Sequence, residues 1–259
     1  WNDQGIDGTF RFLKRFTTFV LKNKNNIISD SGEMNKKIHL FTKNILEKYS
    51  ANGIQNILAL RGDPPKGQTV FVQPEHGFRY AVDLVAFVKK HFPKMGIGVA
   101  GFPEGHPDMP NRLKEIDNLK AKVDAGADYI CTQLFFDNND FYDFCERCEL
   151  AGITVPIIAG IMPVSSRKGL VRMAELALGA HFPAKLLRAL SRAEDDEYVE
   201  KIGIHWATEQ VRDLLDKKVR GVHFYTLNKS KATIQIYENL GVKNSDGFRT
   251  PLGNQFAFR

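Results

Sequence analysis

The segment Asn56-Ile-Leu-Ala-Leu-Arg-Gly-Asp-Pro-Pro65 predicts a buried strand that ends in a charged turn. Its apolar run, residues 57–60, has no helical period, which is typical of a parallel strand covered on both faces. Arg61, Gly62 and Asp63 follow directly, and two prolines then prevent a simple continuation of the strand. Because ligands bind at that end of a strand in α/β folds, the segment predicts both a sheet and the edge of a binding site.

Four further segments repeat this pattern, and helical patterns lie between them. The predicted strands are residues 56–60, 97–101, 129–134, 156–161 and 221–226. The predicted helices are residues 80–91, 112–125, 141–151, 168–178 and 197–218. Gly53, Gly126 and Gly152 each stand shortly before a strand, where a glycine that closes the preceding helix is expected. Strands that alternate with helices in this way predict a parallel sheet.

Polar residues follow the predicted strands at their carboxyl ends. They are Asp63, Glu104, His106, Gln133, Asp137, Tyr225 and Asn228. In a (β/α)8 barrel these ends converge on one face and build the active site. A doubly wound sheet typically carries a glycine fingerprint after its first strand, and none follows residues 56–60. The sequence therefore favours an α/β fold of the (β/α)8 TIM-barrel type.

The N-terminal part is harder to interpret, because a closed barrel has eight strands and only five are recognisable. Residues 10–22 and 36–49 predict helices, with a weak strand at residues 26–29 between them. We expect a barrel whose first strand or strands are missing from the sequence or have diverged. The expected organisation is a catalytic barrel over residues 1–242 and a C-terminal tail over residues 243–259.

Composition narrows the class of protein. The chain of 259 residues is 43% hydrophobic and 25% charged, and its formal charge of +6 is spread without an aromatic-basic motif. Nucleic acid is therefore not an expected partner. No apolar run approaches the roughly 18–20 residues of a membrane span, and no signal-peptide pattern is present. We expect a cytoplasmic enzyme, without a membrane partner, that forms a homo-oligomer.

The three cysteines are Cys131, Cys145 and Cys148. An odd, low count argues against a disulfide framework. Cys145 and Cys148 form a CxxC within a predicted helix, and no second pair is present to complete a zinc site. We interpret the cysteines as structural and expect no metal.

Two pairs of residues could hold phosphate, although each also has a structural explanation. Asn118 and Lys122 are four residues apart on one predicted helix, which is typical of a surface pair, but a long cation there would suit a phosphate. Tyr80 and Ala81 begin a predicted helix, whose free N–H groups could receive a pyrophosphate. His223 is interpreted as a packing residue, with Tyr225 on the opposite side of its strand.

Five ordered motifs carry a resemblance to a known family. ALRGDPP, VAGFPEGHP, KVDAGADYICTQLFFD, PIIAGIMPV and GVHFYTLN, in that order, closely resemble methylenetetrahydrofolate reductase. The resemblance covers roughly residues 53–242 and includes the helix start at residues 80–84. The N-terminal part resembles the family only loosely, by the order and spacing of its elements.

The resemblance implies a (β/α)8 barrel that binds FAD and reduces 5,10-methylenetetrahydrofolate to 5-methyltetrahydrofolate with NADH or NADPH, in two hydride half-reactions at one site. By motif match, the expected FAD-binding residues are Arg61, Asp63, Tyr80, Ala81, His106, Asn118 and Lys122. The expected residues for folate or nicotinamide are Gln133, Arg167, Tyr225 and Lys229. Asp63, Gln133 and Tyr225 are the expected catalytic residues.

One departure from the family keeps other functions open. The family's proton donor is a glutamate in a first-strand segment rich in phenylalanine and proline, and no such segment is present in this sequence. Glu104 could serve as the acid instead. The chain could also be a degenerate flavin-binding or interaction subunit without full turnover. A third possibility is another FAD barrel oxidoreductase, such as one resembling proline dehydrogenase.

Overall fold

The computed structural model describes residues 31–62, 73, 77–106, 109, 111–177 and 179–242, and only the backbone of residues 31–38 and 176. The predicted helix at residues 10–22, the weak strand at 26–29, Asp63 and the tail at 243–259 lie outside the described residues. The division into a barrel over residues 1–242 and a tail stays a prediction.

The described residues form helices and strands that alternate over most of their length. The helices are α1 (Ser31–Ala51), α2 (Ala81–His91), α3 (Arg112–Asp124), α4 (Asn138–Leu150), α5 (Arg167–Leu176), α6 (Ala184–Ser191), α7 (Asp196–Asp216) and α8 (Lys231–Asn239). The strands are β1 (Asn56–Ala59), β2 (Gly96–Gly101), β3 (Tyr129–Leu134), β4 (Ile157–Ile161) and β5 (Val222–Phe224). No described helix combines the length and the apolar character that crossing a bilayer would require.

The strands form one sheet in the order β1-β2-β3-β4-β5, and every neighbouring pair is parallel. A doubly wound sheet reverses its strand order at a switch point, whereas a (β/α)8 barrel adds its strands in sequence. The observed order therefore confirms the predicted fold class, with the described strands forming a parallel half-barrel sheet.

Residues 96–101, Gly-Ile-Gly-Val-Ala-Gly, have the GxGxxG spacing of a dinucleotide fingerprint. The structure places all six of them within strand β2. A fingerprint needs the turn between a strand and a helix, where backbone N–H groups face a pyrophosphate. The spacing here instead reflects close packing: a Cβ on Gly98 would lie 2.4 Å from the Tyr129 ring, and one on Gly101 would lie 2.7 Å from Ile130.

Strand β1 is less buried than its sequence predicts. Ala59 is buried, but Leu58 and Leu60 are 43% and 50% exposed. Within the described part of the chain β1 pairs with β2 alone, so its outer side has fewer neighbours than that of an inner strand. The expectation that both faces of this strand are covered is therefore wrong for the described structure.

The chain divides into two compact units. The first comprises Trp1–Gln55 with Arg61–Met95, and among its described parts are α1 and α2. In this unit the His39 ring stacks on Phe78 at 4.9 Å, and Phe87 packs against both. The second unit, Asn56–Leu60 with Gly96–Arg259, contains the sheet and α3–α8.

Two buried clusters support the sheet in the second unit. One joins β4 to α7 and α8 and includes Phe135, Phe141, Ile161, Leu214 and Ile236. The other joins the ends of β3 and β4 to α5, α6 and α7 and includes Phe136, Val164, Met173, Leu186 and Leu190. Both clusters include residues that follow β3, so packing fixes the connection that leaves the carboxyl end of this strand.

The predicted helix-closing glycines are confirmed. Gly53, Gly126 and Gly152 have φ values of +77°, +115° and +72°, which L side chains rarely adopt. After α1, the Gly53 amide donates to the Ser50 carbonyl at 3.0 Å and the Ile54 amide donates to the Tyr49 carbonyl at 2.9 Å. This pair of bonds is the Schellman arrangement, which satisfies the last carbonyls of the helix.

Candidate active site at the carboxyl ends of the strands

Tyr225, just beyond β5, lies across the ends of β3 and β4. Its hydroxyl donates to the Thr132 carbonyl at 2.8 Å, and its amide donates to the Ile161 carbonyl at 2.9 Å. Gly160 makes room for the ring, because a Cβ there would lie 2.9 Å from the ring and 2.3 Å from the Thr132 carbonyl. The Thr132 hydroxyl accepts from the Gly160 amide at 2.9 Å. Three neighbouring strands thus hold one tyrosine in a fixed place.

The environment of Tyr225 keeps its hydroxyl protonated. Burial raises the pKa of Tyr225 well above its usual range, and the neighbouring Cys131 raises it further. Burial likewise raises the pKa of the Cys131 thiol, while its hydrogen bond with Tyr225 lowers it. Since the hydroxyl proton is donated to the Thr132 carbonyl, the ring is the part of Tyr225 best suited to contact a ligand.

His223 lies on the same side of the chain as Tyr225. Their ring centroids are 4.7 Å apart in an edge-to-face arrangement. Residues two apart in a strand share a face, so the expectation that Tyr225 points away from His223 is wrong. His223 is nevertheless exposed, so its interpretation as a packing residue stays a prediction.

Gln133 lies on β3, next to Thr132, and is half-buried. Its Oε1 accepts from the Leu134 amide at 2.9 Å. This bond turns the oxygen toward the backbone and leaves the amide group's two N–H donors on the other side. The backbone carbonyl of Gln133 lies 3.2 Å from the position of a Cβ on Gly160. The backbone of Gln133 and the ring of Tyr225 therefore lie beside the same glycine.

Lys122, on α3, directs its amine inward. Its Nζ donates to the Ala100 carbonyl of β2 at 2.7 Å. Burial lowers the pKa of Lys122 to about 8, and the negative charge of Glu115 partly opposes this. Asn118, one turn earlier on the helix, is exposed. The predicted surface pairing of Asn118 with Lys122 is therefore replaced by a contact between Lys122 and the sheet.

The connection from β2 to α3 carries His106. The His106 amide donates to Glu115 Oε1 at 2.8 Å, and the His106 ring packs edge-to-face on Phe102 at 4.8 Å. Burial raises the pKa of Glu115, while the bond from His106 and the charge of Arg112 lower it. Glu115 Oε2 is buried and has no hydrogen-bond partner among the described residues. An acceptor in this position suits a donor from a bound ligand.

Glu104, two residues before His106, lies in a cluster with Asp140 and His181. One polar atom of each side chain lies within 4.8 Å of the others. Glu104 Oε1 accepts from the His181 amide at 2.6 Å and lies 3.1 Å from His181 Nδ1. Burial raises the pKa of Glu104 to about 7, and the charge of Asp140 adds to the effect. The partners of Glu104 thus lie in the first turn of α4 and in the segment before α6, both in the second unit.

Three predicted FAD-binding residues belong to the first unit. Arg61 and Tyr80 are exposed, and Ala81 is half-buried at the start of α2. The Asp83 carboxylate accepts from the amides of Tyr80 and Arg79 at 2.9 and 3.1 Å. The Arg79 guanidinium lies 5.2 Å from the centre of the Tyr80 ring. The helix start thus combines first-turn N–H groups with a nearby cation, which is a suitable environment for a phosphate.

Arg167 and Lys229 are both exposed. The Arg167 amide donates to Asp196 at 3.0 Å, and its guanidinium donates to the Ala193 carbonyl. This arrangement ties Arg167 to the connection between α6 and α7. Lys229 follows a turn in which Leu227 and Asn228 have φ values of +47° and +63°. Such values are unusual for leucine and mark a constrained turn after Tyr225.

The structure thus places the Tyr225 ring and the backbone of Gln133 beside Gly160, and His106 and Lys122 on the neighbouring β2–α3 side. Asp63 lies outside the described residues. Sequence reasoning missed Thr132, Gly160 and Glu115. Thr132 lies in the motif KVDAGADYICTQLFFD and Gly160 in PIIAGIMPV, so their position near strand ends was a usable signal. Glu115 carried no such signal in the sequence, because a glutamate in a helix is usually solvated.

Cys145 and Cys148 are poorly suited to metal or redox chemistry. Burial raises the pKa of both thiols to about 12. The thiolate is the form that binds metals and attacks disulfides, and it is scarce at neutral pH under these conditions. Their environment supports the interpretation that they are structural.

The sequential parallel sheet defines a β/α-barrel protein, and polar groups follow β2, β3 and β5 at the carboxyl ends of the strands, where barrel proteins bind their ligands. A family model described as Methylenetetrahydrofolate reductase matches residues 34–241. The chain belongs to the methylenetetrahydrofolate reductase family. This membership agrees with the resemblance of the five sequence motifs and argues against a protein of the proline dehydrogenase type.

Individual relatives agree with this assignment. The chain is 47% identical to Methylenetetrahydrofolate reductase (NADH) 1 of Arabidopsis thaliana, over 76% of this chain and 35% of that protein. It is 41% identical to Methylenetetrahydrofolate reductase 2 of Saccharomyces cerevisiae, over 76% of this chain and 34% of that protein. It is 39% identical to 5,10-methylenetetrahydrofolate reductase of Escherichia coli, over 78% of this chain and 66% of that protein. The chain therefore spans about a third of the length of the plant and yeast relatives.

Proposed function

We propose that this chain binds FAD and uses NADH or NADPH to reduce 5,10-methylenetetrahydrofolate to 5-methyltetrahydrofolate. The observation that carries the proposal is the Tyr225 ring held beside Gly160 and the backbone of Gln133, at the carboxyl ends of three adjacent strands. Family membership supplies the reaction class. The two half-reactions at one site, the flavin and the nicotinamide donor belong to this proposal.

The donors and acceptors of the described residues fit a flavin dinucleotide. Lys122 offers a cation with donors beyond its bond to the Ala100 carbonyl. In the same unit the buried Glu115 Oε2, which lies 3.9 Å from the Arg112 guanidinium, offers an acceptor for a hydroxyl or amine. A dinucleotide needs such donors for its phosphates and acceptors for its sugar hydroxyls.

FAD, when bound, supplies the hydride chemistry between the nicotinamide and the folate. The Gln133 amide donates hydrogen bonds that orient the substrate. The Tyr225 ring, held by Thr132, provides a rigid apolar surface beside it. Lys122 binds a phosphate group. Asp63, by its charge, disfavours negative charge that develops nearby and favours positive charge on the folate.

Two questions within the proposal concern the electron donor and the proton donor. Relatives are named for NADH and for NADPH, so both donors are to be tested side by side. Opening the folate ring needs a proton, and the family's first-strand glutamate segment is not recognisable in the sequence. The contacts of Glu104 with His181 and Asp140 favour a positioning role for this carboxyl group over that of the acid.

The alternative within the family is a flavin-binding or interaction subunit without turnover. The two hypotheses differ in the product, because only the enzyme forms 5-methyltetrahydrofolate.

The test is turnover of the FAD-loaded chain with methylenetetrahydrofolate and NADH or NADPH, with the folate product separated by chromatography. We expect 5-methyltetrahydrofolate from the wild-type chain. Gln133→Ala should lower kcat/KM by about 10- to 100-fold, the effect of losing one or two substrate hydrogen bonds. Gln55→Ala, at an exposed position, is the matched control and should behave as wild type. Bound flavin without product would favour the subunit, and equal activity of both variants would remove Gln133 from the site.

A further inference from the structure

The first part of the connection between β2 and α3, residues 102–106, is fixed from several sides. Arg147 Nη2, on α4, donates to the Pro103 carbonyl at 3.0 Å. Glu115, on α3, accepts from the His106 amide at 2.8 Å. Gly105 has a φ of +90°, and the Arg112 guanidinium occupies the space that a side chain would need. The connection thus presents His106 in one defined conformation.

Glu104 links this connection to a distant part of the chain. Its carboxylate binds the amide of His181, 77 residues away, at 2.6 Å and lies 3.1 Å from the His181 ring nitrogen. The Glu104 side chain is only 5% exposed, whereas that of His181 is 75% exposed. A carboxyl group in the β2–α3 connection therefore reaches the segment that precedes α6, residues 179–183.

The charged groups around Glu104 come from three directions. Asp140, in the first turn of α4, adds negative charge, with Asp137 and Asp143 beside it. Arg112, at the start of α3, adds positive charge. His181 approaches from the segment before α6. Burial and Asp140 together oppose ionisation of Glu104 more strongly than Arg112 and the His181 amide favour it.

We propose that Glu104 is a positioning residue of the cofactor site. Glu104 holds residues 102–106, including His106, against His181 most firmly when its carboxyl group is neutral. The affinity for FAD therefore falls as the pH rises through neutrality. This inference rests on the proposed function. Glu104 acts through the backbone of residues 102–106 and through His106.

The sign follows from linkage between proton binding and conformation. Burial, followed by Asp140, raises the pKa of Glu104 from 4.5 to about 7 while the connection is in place. If the connection opens, Glu104 enters water and its pKa returns toward the ordinary value. The closed form therefore binds the proton more tightly, and raising the pH through about 7 favours opening. An open connection no longer presents His106 to the cofactor.

The experiment is titration with FAD, followed by flavin fluorescence, from pH 6 to pH 8.5. For the wild-type chain we expect the Kd for FAD to rise about fivefold or more over this range. Glu104→Gln keeps an acceptor for the His181 amide but cannot ionise, so its Kd should change less than twofold. Glu209→Gln removes an exposed carboxylate on α7 and should follow the wild-type profile.

A second variant shifts the profile without touching Glu104. Asp140→Asn removes a neighbouring negative charge, so it should move the midpoint of the wild-type profile to lower pH. This variant keeps the test decisive if Glu104→Gln folds poorly. Hydrogen exchange at the His106 amide provides a readout without FAD: its protection should fall above neutral pH in the wild type and stay constant in Glu104→Gln.

Identical pH profiles in wild type and Glu104→Gln, or an unmoved midpoint in Asp140→Asn, would overturn the inference while leaving the proposed function intact. A wild-type chain that binds no FAD at any pH would instead contradict the proposed function, and the cofactor role of Glu104 with it. These outcomes are distinguishable in one set of titrations.

Discussion

At the scale of single residues, the site depends on polar groups whose ordinary chemistry is changed by burial. The Tyr225 hydroxyl is kept protonated and bonded to the Thr132 carbonyl, so the residue offers a ring surface. The Lys122 amine sits against the Ala100 carbonyl in a place where its charge is unfavourable. Such a lysine is ready to pair with an anion, because a phosphate would restore the interactions that burial removed.

Replacing Lys122 by methionine tests this burial through the pH dependence of stability. Burial lowers the pKa of Lys122 from 10.5 to about 8, so between these values the unfolded chain holds a proton that the folded chain has released. The free energy of unfolding of the wild type should therefore rise with pH in this interval, relative to that of Lys122→Met, by about 1 kcal/mol or more.

Urea denaturation at pH 7.5, 8.5 and 9.5 gives both curves, and their difference isolates Lys122 from the tyrosines and cysteines. Lys114→Met, at an exposed position on the same helix, is the control and should run parallel to the wild type. Parallel curves for Lys122→Met and wild type would show that the amine is solvated.

At the scale of elements, helix α7 organises the connections that leave β3 and β4. The Trp206 indole donates to the Phe136 carbonyl at 3.0 Å, and the Gln210 amide donates to the Phe135 carbonyl at 3.2 Å. Gly203 lets the same helix approach the connection after β4, since a Cβ there would lie 1.9 Å from the Val164 carbonyl. The chain that follows Gln133 is therefore held by α7.

Gly203→Ala separates this packing from helix propensity. Alanine is better than glycine in a helix interior by about 1 kcal/mol, so propensity alone predicts stabilisation. The contact with a backbone carbonyl predicts the opposite, because neither the helix nor the β4 connection can move freely, and we expect a net loss of about 1–3 kcal/mol. Chemical denaturation measures the change.

Gly221→Ala is the control for the same substitution, since its nearest neighbour would lie 3.7 Å away in ordinary contact. It should change stability by much less. A stabilised Gly203→Ala variant would mean that α7 does not lie against the Val164 carbonyl.

The elements that sequence predicts well are those with a local cause. Gly126 and Gly152 ended helices as expected, since the positive φ of a helix-closing residue is a property of one position. Helix α6 was missed because its eight residues, preceded by Pro183, are too few to show a clear period. The exposure of Leu58 was missed because coverage of a strand depends on its neighbours in the sheet.

At the scale of the whole molecule, the parallel barrel-type fold could be predicted from the sequence, whereas the contacts between distant residues could not. The position of Gln133 and Tyr225 near the ends of parallel strands predicts that they share one edge of the sheet, and the Tyr225 ring and the Gln133 backbone carbonyl both lie beside Gly160. The hydrogen bond from the His181 amide to the Glu104 carboxylate joins residues 77 positions apart, and no local sequence pattern predicts a contact between such distant positions. The orientations of Arg167 and Lys122 likewise follow from tertiary packing.

The measurement that tests the central claim most directly is an anaerobic visible spectrum of the purified chain with FAD, before and after NADH or NADPH. We predict a protein-bound flavin band that bleaches with at least one of the two donors. A chain that retains no flavin, or a bound flavin that stays oxidised with both donors, would contradict the account.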